Sequence, residues 1–359
     1  MDERERIRKR IDEVDQEILN ALSERASLAK QIGDYKKKMQ LPIVDVAREQ
    51  RILERIVEEA GKKGLPKDKT GRVYREIINL CRSVQMTETK VVFLGPRGTF
   101  CEQATKEYFN DVNAVFDERP SVADVFRSVK VREADYGVVP IENSNEGSVP
   151  ATLDLLGESG LMISGEVILR IVHNLIVKPD MELDDISEVA SHPQALAQCG
   201  QYLEENLPGV RHVETRSTAA AVKLAGERDE VAAIGTELAA QLYGMKVLAS
   251  GIEDNRENHT RFFVLGLNDR EPTGGDRTSV LFSVKHSPGS LAQALEALSR
   301  RMINLSKIES RPARDKPWEY VFFCDFEGHR KDANCQEALK ELEKETINLK
   351  ILGSYPRAQ

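Results

Sequence analysis

The 359-residue chain has few of the features that would place it outside a cell or in a membrane. Its five cysteines (Cys81, Cys101, Cys199, Cys324, Cys335) are odd in number, scattered and never spaced CxxC. They give no disulfide or zinc framework and fit a reducing compartment. The six histidines have no metal-ligand spacing, so neither a metal nor a cofactor is expected. No charge-free apolar run reaches the roughly 18 residues of a membrane helix, and the start, MDERERIRKR, is too polar for a signal peptide. A cytoplasmic location with no membrane contact is expected. A basic surplus is missing as well, with 51 Lys and Arg against 59 Asp and Glu, net −8. Nucleic acid, whose phosphates need neutralising cations, is therefore not an expected partner.

The charge that is present is unevenly placed. Residues 1–90 hold 21 basic and 17 acidic side chains, a surplus of +4, and the other 269 hold 30 and 42, or −12. At about 150 residues per domain the length suggests two or three domains, and the periodicity separates three. From Ile7 to Tyr35 the apolar residues follow a heptad, with Ile11, Ile18 and Ile32 at one seam position and Ile7, Val14, Ala21, Leu28 and Tyr35 at the other. This predicts a helix too long for a small monomer to cover, and hence a partner chain. Beyond Pro42, Asp45 can cap a second helix, ended by Gly61 and Gly64, and a third runs from about Lys67 to Met86. From Lys90 strand and helix patterns alternate, predicting two α/β lobes with a ligand cleft at their junction. The stretch Leu161 to Val177 reads as one long strand, and SHPQALAQCGQYLEENL as one helix. After the linker-like NDREPTGGD the order is βαββαβ, a ferredoxin-like unit. The expected boundaries are 1–88, 90–268 and 277–359.

Polar residues on the helical seams point to chemistry. Arg25 lies between Ile18 and Ile32, where an unpaired charge costs several kcal/mol. It sets register, as polar seam residues do in coiled coils, or it meets an anion. Glu49 sits on the second seam, Cys81 and Gln85 on the third. With Arg8, Lys36 and Arg48 these suit a small dicarboxylate, since guanidinium forks bind carboxylates bidentately. The run IRKRIDEVDQEILNALSERASLAKQIGDYKK, with VDVAREQRIL and IINLCRSVQ, resembles the all-helical chorismate mutase family. The resemblance implies that Arg8 is given across a dimer interface and that Arg25 and Arg48 bind substrate in-chain. It implies that Lys36 and Gln85 hold the ether oxygen, and that Asp45 and Glu49 contact the hydroxyl and its neighbours. Cys81 stands where some members have serine.

In the central region GPRGTF, at a strand-to-helix turn, could form an anion-binding nest through its backbone amides. PIENSNEGSV, SHPQA, STAAA and HTRFFVL are further polar turns at strand ends or helix starts, where open α/β sheets bind ligands. Together the five segments resemble prephenate dehydratase, which implies a periplasmic-binding-protein-like fold with the substrate in the cleft. Thr260 is then the expected proton donor to the departing hydroxyl, with Arg261 and Phe262 shaping the site. Thr99, Glu142, Asn143, Ser144, His192, Gln194, Ser217 and Thr218 are expected substrate contacts. GTFC, with Cys101, departs from the commoner GTFS.

In the last region SPGSLAQAL and INLSKIESRP resemble the amino-acid-binding ACT module. That implies allosteric L-phenylalanine binding by Gly289, Ser290, Leu291, Asn304, Leu305, Glu309, Ser310, Arg311 and Pro312. The three resemblances, in this order, are those of the bifunctional P-protein family of phenylalanine biosynthesis. They imply conversion of chorismate to prephenate and then to phenylpyruvate, feedback by phenylalanine, and a homodimer or homotetramer. A non-enzymatic amino-acid sensor with decayed sites, or a two-lobed solute-binding protein, are the competing readings.

Overall fold

The computed structural model describes residues 2–38, 46–85, 88–110, 112–312 and 320–358, without the side chains of 34, 36–38, 46–50 and 82–85. The chain forms two compact units, residues 1–89 with 111–115, and residues 90–110 with 116–359.

The first unit is all helical: α1 (Glu3–Lys38), α2 (Val46–Lys62) and α3 (Lys67–Gln85). At 1.5 Å per residue α1 is about 54 Å long. It packs on α3, as α2 does, around Ala29, Ala60, Ile78 and Cys81. Gly61 falls inside the last turn of α2, and Gly64, at φ +74°, turns the chain towards α3. The heptad apolar residues Ile7, Ile11, Val14, Ile18, Leu28, Ile32 and Tyr35 are 38–60 % exposed.

The second unit begins with β1 (Thr89–Leu94), α4 (Phe100–Tyr108), β2 (Ala114–Arg119), α5 (Val122–Lys130), β3 (Tyr136–Asn143), β4 (Gly147–Ser148), α6 (Pro150–Ser159) and β5 (Met162–Arg170). A second lobe follows with β6 (Asn174–Val177), β7 (Glu188–Ser191), α7 (Pro193–Gln198), α8 (Gly200–Asn206), β8 (Arg211–Glu214), α9 (Thr218–Glu227), β9 (Val231–Gly235), α10 (Glu237–Tyr243) and β10 (Lys246–Ser250). Strand β11 (His259–Gly266) then returns to the first lobe, between β3 and β5. The sheets run β2-β1-β3-β11-β5, with β4 on β3, and β10-β6-β9-β7-β8.

The segment expected as one strand is therefore two, β5 and β6, in different sheets, with residues 171–173 crossing between lobes. Residues 163–167 and 174–177 are continuous buried runs, so alternation could not mark the break. The helix expected at SHPQ divides at Cys199 into α7 and α8, and β2, α5, β4, β7 and β10 are elements that the sequence pattern did not mark.

The last part is β12 (Asp276–Ser283), α11 (Ser290–Ser299), β13 (Leu305–Pro312), β14 (Tyr320–Glu327), α12 (Ala333–Glu345) and β15 (Asn348–Pro356), the expected βαββαβ order, in a sheet β13-β14-β12-β15. One sheet face packs with α11 and α12 around Val280, Phe282, Ala297 and Leu342. Phe323, Leu352 and Tyr355 instead join the first lobe's core beside Phe263, Ile141 and Ile163. The two domains thus share one apolar core.

Strand β15 runs against β5, and a Cβ added to Gly353 would collide with the Ile163 backbone. Overpacking of this kind costs about 1–3 kcal/mol. Gly353→Ala should lower the thermal midpoint of the full chain, followed by circular dichroism. An unchanged midpoint would mean that the two strands separate without cost.

Candidate active sites

A cavity of about 460 Å³ opens between the lobes of the second unit. Eight of the expected contacts line it: Thr99, Asn143, His192, Gln194, Ser217, Thr218, Thr260 and Phe262. Six arrive there because they end a strand or start a helix, while Thr260 and Phe262 lie in the first half of β11. Thr99, His192 and Ser217 are the N-caps of α4, α7 and α9. Ser217 Oγ accepts from the Ala220 amide at 3.1 Å, and His192 Nδ1 from the Gln194 amide at 3.3 Å. The positive end of α9 and the Arg216 side chain, both on the cavity wall, favour a carboxylate there.

The GPRG turn does not work as an open nest. Its Arg97 and Gly98 amides donate to the protein's own carboxylates, Glu118 and Glu102, both at 2.6 Å. Gly98, at φ +81°, abuts Ala239 and offers its carbonyl to Thr236 Oγ1 at 2.6 Å. The turn therefore docks the two lobes together. Cys101 lines the cavity, but burial pushes its thiol up to about 12, so it is no nucleophile at neutral pH.

Thr260 and Asn143 are cross-strand partners in β11 and β3, with Asn143 Nδ2 donating to Thr260 Oγ1 at 2.8 Å. Behind them Asn143 Nδ2 meets Asn258 Oδ1 at 2.8 Å, Asn258 Nδ2 meets Gln198 Oε1 at 3.1 Å, and Gln198 Oε1 meets His173 Nε2 at 3.0 Å. Sequence reading missed His173, Gln198, Arg216 and Ser148, all on the cavity wall. His173 was hidden inside the supposed single strand, although a histidine in an apolar run was a signal that the run was interrupted.

Three expected contacts face elsewhere. Ser144 Oγ accepts from the His259 amide at 3.0 Å and donates to the Glu257 carbonyl at 3.2 Å, latching that loop. Arg261 and Glu142 are also cross-strand partners, one step along from Thr260 and Asn143. Because side chains alternate along a strand, they point to the opposite face. Arg261, 8 % exposed, donates to Glu166 at 2.6 Å, to Asp325 at 2.5 Å and to the Tyr355 hydroxyl at 3.0 Å. Glu142 accepts from Lys307 at 2.6 Å. Asp325, Tyr355 and Lys307 all belong to the C-terminal domain. A register shift after Arg261 pairs Phe262 with Pro140 and brings both onto the cavity wall.

In the helical unit Arg25 is half-buried and donates to Cys81 Sγ at 2.6 Å and to the Ile77 carbonyl at 3.3 Å. Cysteine therefore occupies, through its sulfur, the position of a polar contact to that arginine. Arg8 is exposed near the start of α1. Asp45 and the side chains of Lys36, Arg48, Glu49 and Gln85 lie outside the described residues.

In the C-terminal domain Gly289 (φ +86°) caps α11, and the Ser290 and Ser287 hydroxyls meet at 2.6 Å. Leu291 and Leu305 pack on the same apolar cluster, and the Asn304 carbonyl accepts from the Glu327 amide at 3.0 Å. Alternate side chains of β13 reach the first lobe of the second unit. Lys307 bonds Ser148 at 2.8 Å, Glu309 also meets Ser148, and Arg311 pairs with Asp154 at 3.3 Å. Ser310 and Pro312 are exposed.

Comparison with known proteins agrees with this division. The chain matches the families Chorismate mutase type II over residues 7–86, Prephenate dehydratase over 91–270 and ACT domain over 278–344. An Aquifex aeolicus protein named bifunctional chorismate mutase/prephenate dehydratase is 45 % identical over 361 aligned positions, covering 100 % of this chain and 99 % of that one. The crystal structure of an Arthrobacter aurescens prephenate dehydratase in complex with L-Phe covers 75 % of this chain and 90 % of its own, at 37 % identity and TM-score 0.71. A solved chain described as a novel type of quorum quenching acylase covers 75 % and 98 %, at 30 % identity and TM-score 0.69. One fold hosts different chemistries, so the site residues have to carry the assignment.

Removing one partner of a buried ion pair leaves the other charge uncompensated, at a cost of about 3–5 kcal/mol. Asp325→Ala should therefore destabilise the second unit strongly and Tyr355→Phe far less, measured as shifts in its thermal unfolding. Equal, small shifts would show that Arg261 is matched without Asp325.

Proposed function

The chain belongs to the bifunctional chorismate mutase/prephenate dehydratase family, and from that membership we propose how its residues divide the two reactions and how phenylalanine restrains them. The family assignment makes it an enzyme with chorismate mutase and prephenate dehydratase activities and a C-terminal ACT domain. The sensor and solute-binding readings fall with it. The proposed domain limits are 1–88, 90–268 and 277–359.

The mutase step is pericyclic and needs no nucleophile, only a held dianion and stabilisation of charge on the breaking ether. Arg25 binds a carboxylate beside Cys81, with Arg8, Arg48, Asp45 and Glu49 as further contacts and Lys36 with Gln85 at the ether oxygen. The uncovered heptad of α1 supports a homodimer in which a second copy's helix covers this seam.

In the dehydratase step the ring C–O bond and the C–C bond to the ring carboxylate break. The electron pair of the latter enters the ring, which becomes aromatic, and CO2 departs. The hydroxyl takes the Thr260 proton and leaves as water, and Thr260 is reprotonated from solvent. The observation that carries this reading is Thr260 on the cavity wall, held by Asn143 at 2.8 Å. Arg216 and the start of α9, with Ser217 and Thr218, take a substrate carboxylate, while Thr99, His192, Gln194 and Phe262 complete the wall. Ser144, Glu142 and Arg261 keep the strand and loop in place.

L-phenylalanine binds the ACT domain through the Gly289–Ser290–Leu291 turn, Asn304, Leu305 and the Glu309–Ser310–Arg311–Pro312 strand, and lowers dehydratase turnover. The L-Phe complex of the Arthrobacter relative supports this. So do the contacts of Glu309 with Ser148 and of Arg311 with Asp154. A ligand that recruits either side chain loosens a lobe whose Ser148 lines the cavity. The pathway is phenylalanine biosynthesis, and the buried, unpaired cysteines suit a reducing cytoplasm.

The test is to incubate the purified protein with chorismate and follow prephenate and phenylpyruvate, with and without L-phenylalanine. Thr260→Ala should cut phenylpyruvate formation by roughly 10²–10⁴-fold, the range of a lost general acid, and spare the mutase. Arg25→Ala should do the converse, and Arg311→Ala should relieve inhibition. Dehydratase activity retained in Thr260→Ala would remove that residue from its role.

A further inference from the structure

The hydrogen-bond chain behind Thr260 has a direction that can be read without seeing a proton. The backbone amides of Asn145 and Glu146 can only donate, and both point at Asn143 Oδ1, at 3.0 and 3.1 Å. That fixes the orientation of the Asn143 amide, so Nδ2 is the atom facing Thr260 Oγ1, Asn258 Oδ1 and, at 3.2 Å, the His259 carbonyl. An amide nitrogen donates and does not accept. Thr260 Oγ1 therefore accepts from Asn143, and its own proton is not used in that bond.

The same logic runs outward. Asn258 Oδ1 accepts from Asn143, so Asn258 Nδ2 must donate to Gln198 Oε1. Gln198 Oε1 is then an acceptor for its other neighbour as well, and His173 Nε2 must carry a hydrogen. The other imidazole tautomer would turn Gln198, then Asn258, and set two amino groups against each other at Asn143. Burial lowers the His173 pKa, which keeps the ring neutral. The ring is pinned as well. Its backbone amide donates to Glu253 at 2.9 Å, and the ring meets Phe100 edge-on at 5.6 Å. His173 Nδ1 and Gln198 Nε2 are buried without a hydrogen-bond partner among the described residues. Such a cost is expected where the orientation of a group matters more than its saturation.

We infer that His173 is a positioning residue of the dehydratase step: its Nε2–H closes the chain through Gln198 and Asn258 that holds Asn143 against Thr260 and leaves the Thr260 proton free for the departing hydroxyl. The inference rests on Thr260 as the proton donor. Without the Nε2–H donor, Gln198 and Asn258 can turn over, and Asn143 is pushed away from Thr260. Turnover then suffers, while substrate binding does not.

The experiment compares His173→Asn, His173→Gln and Thr260→Ala in the full chain, with the thermal unfolding of the second unit as the check on folding. Glutamine places its amide nitrogen about where Nε2 lies, and asparagine places it where Nδ1 lies. His173→Asn should lose about tenfold or more in dehydratase kcat, with KM within about twofold, and His173→Gln should recover most of that loss. Wild-type kcat in His173→Asn, equal loss in both variants, or a raised KM with kcat intact would each overturn the positioning role. If Thr260→Ala kept its activity, the proton-donor reading itself would fail. If Thr260→Ala is inactive while His173→Asn is fully active, only the role of His173 fails.

Discussion

Arg261 carries a full charge into a site 8 % exposed, and the second unit is arranged around matching it. Its partners come from two domains, Glu166 from β5 and Asp325 and Tyr355 from β14 and β15. Arg277 of β12 shares Glu166 at 2.7 Å. Burial raises the Tyr355 pKa well above its ordinary value, so it remains a phenol and donor. Such a cluster is weak evidence of net stability, because desolvating the charges offsets most of their attraction. It specifies geometry instead. Parting the C-terminal sheet from β11 would strip the guanidinium of Asp325 and Tyr355, so the ACT domain sits against the face of β11 opposite the cavity.

Strand alternation turns that constraint into a functional one. Thr260 and Phe262 face the cavity, while Arg261 and Phe263 face the C-terminal domain. The paired strand β3 repeats the division, with Asn143 towards the cavity and Glu142 held by Lys307. The bulge between Arg261 and Phe262 brings Pro140 onto the cavity side. The residues that bind the C-terminal sheet, Arg261 and Glu142, are thus the immediate backbone neighbours of Thr260 and Asn143.

Legibility in the sequence followed the range of the interactions. The heptad of α1, the strand and helix alternation after Lys90 and the βαββαβ order at the end are set by spacings of two to seven residues, and they were readable. So were the polar turns lining the cavity, because helix caps are local chemistry. The partners of Arg261 are 94, 95 and 64 positions away, and no local pattern announces them. The GPRG turn misled for a related reason. Its amides do bind carboxylates, but those of Glu102 and Glu118, and a turn read alone cannot show that its donors are already taken.

The two sites differ in how they meet charge. The basic surplus lies in residues 1–90, whereas the wall of the second cavity is mostly neutral amides, hydroxyls and apolar groups, with Arg216 as a cation on it. A neutral site depends on orientation more than on charge, which leaves it open to control by small movements. Under the proposed feedback the control must be mutual: if phenylalanine weakens prephenate binding by some factor, prephenate weakens phenylalanine binding by the same factor. The contacts of Glu309 and Arg311 suit that exchange. Each can serve the dehydratase lobe or a bound amino acid, and free energy given to one partner is withdrawn from the other.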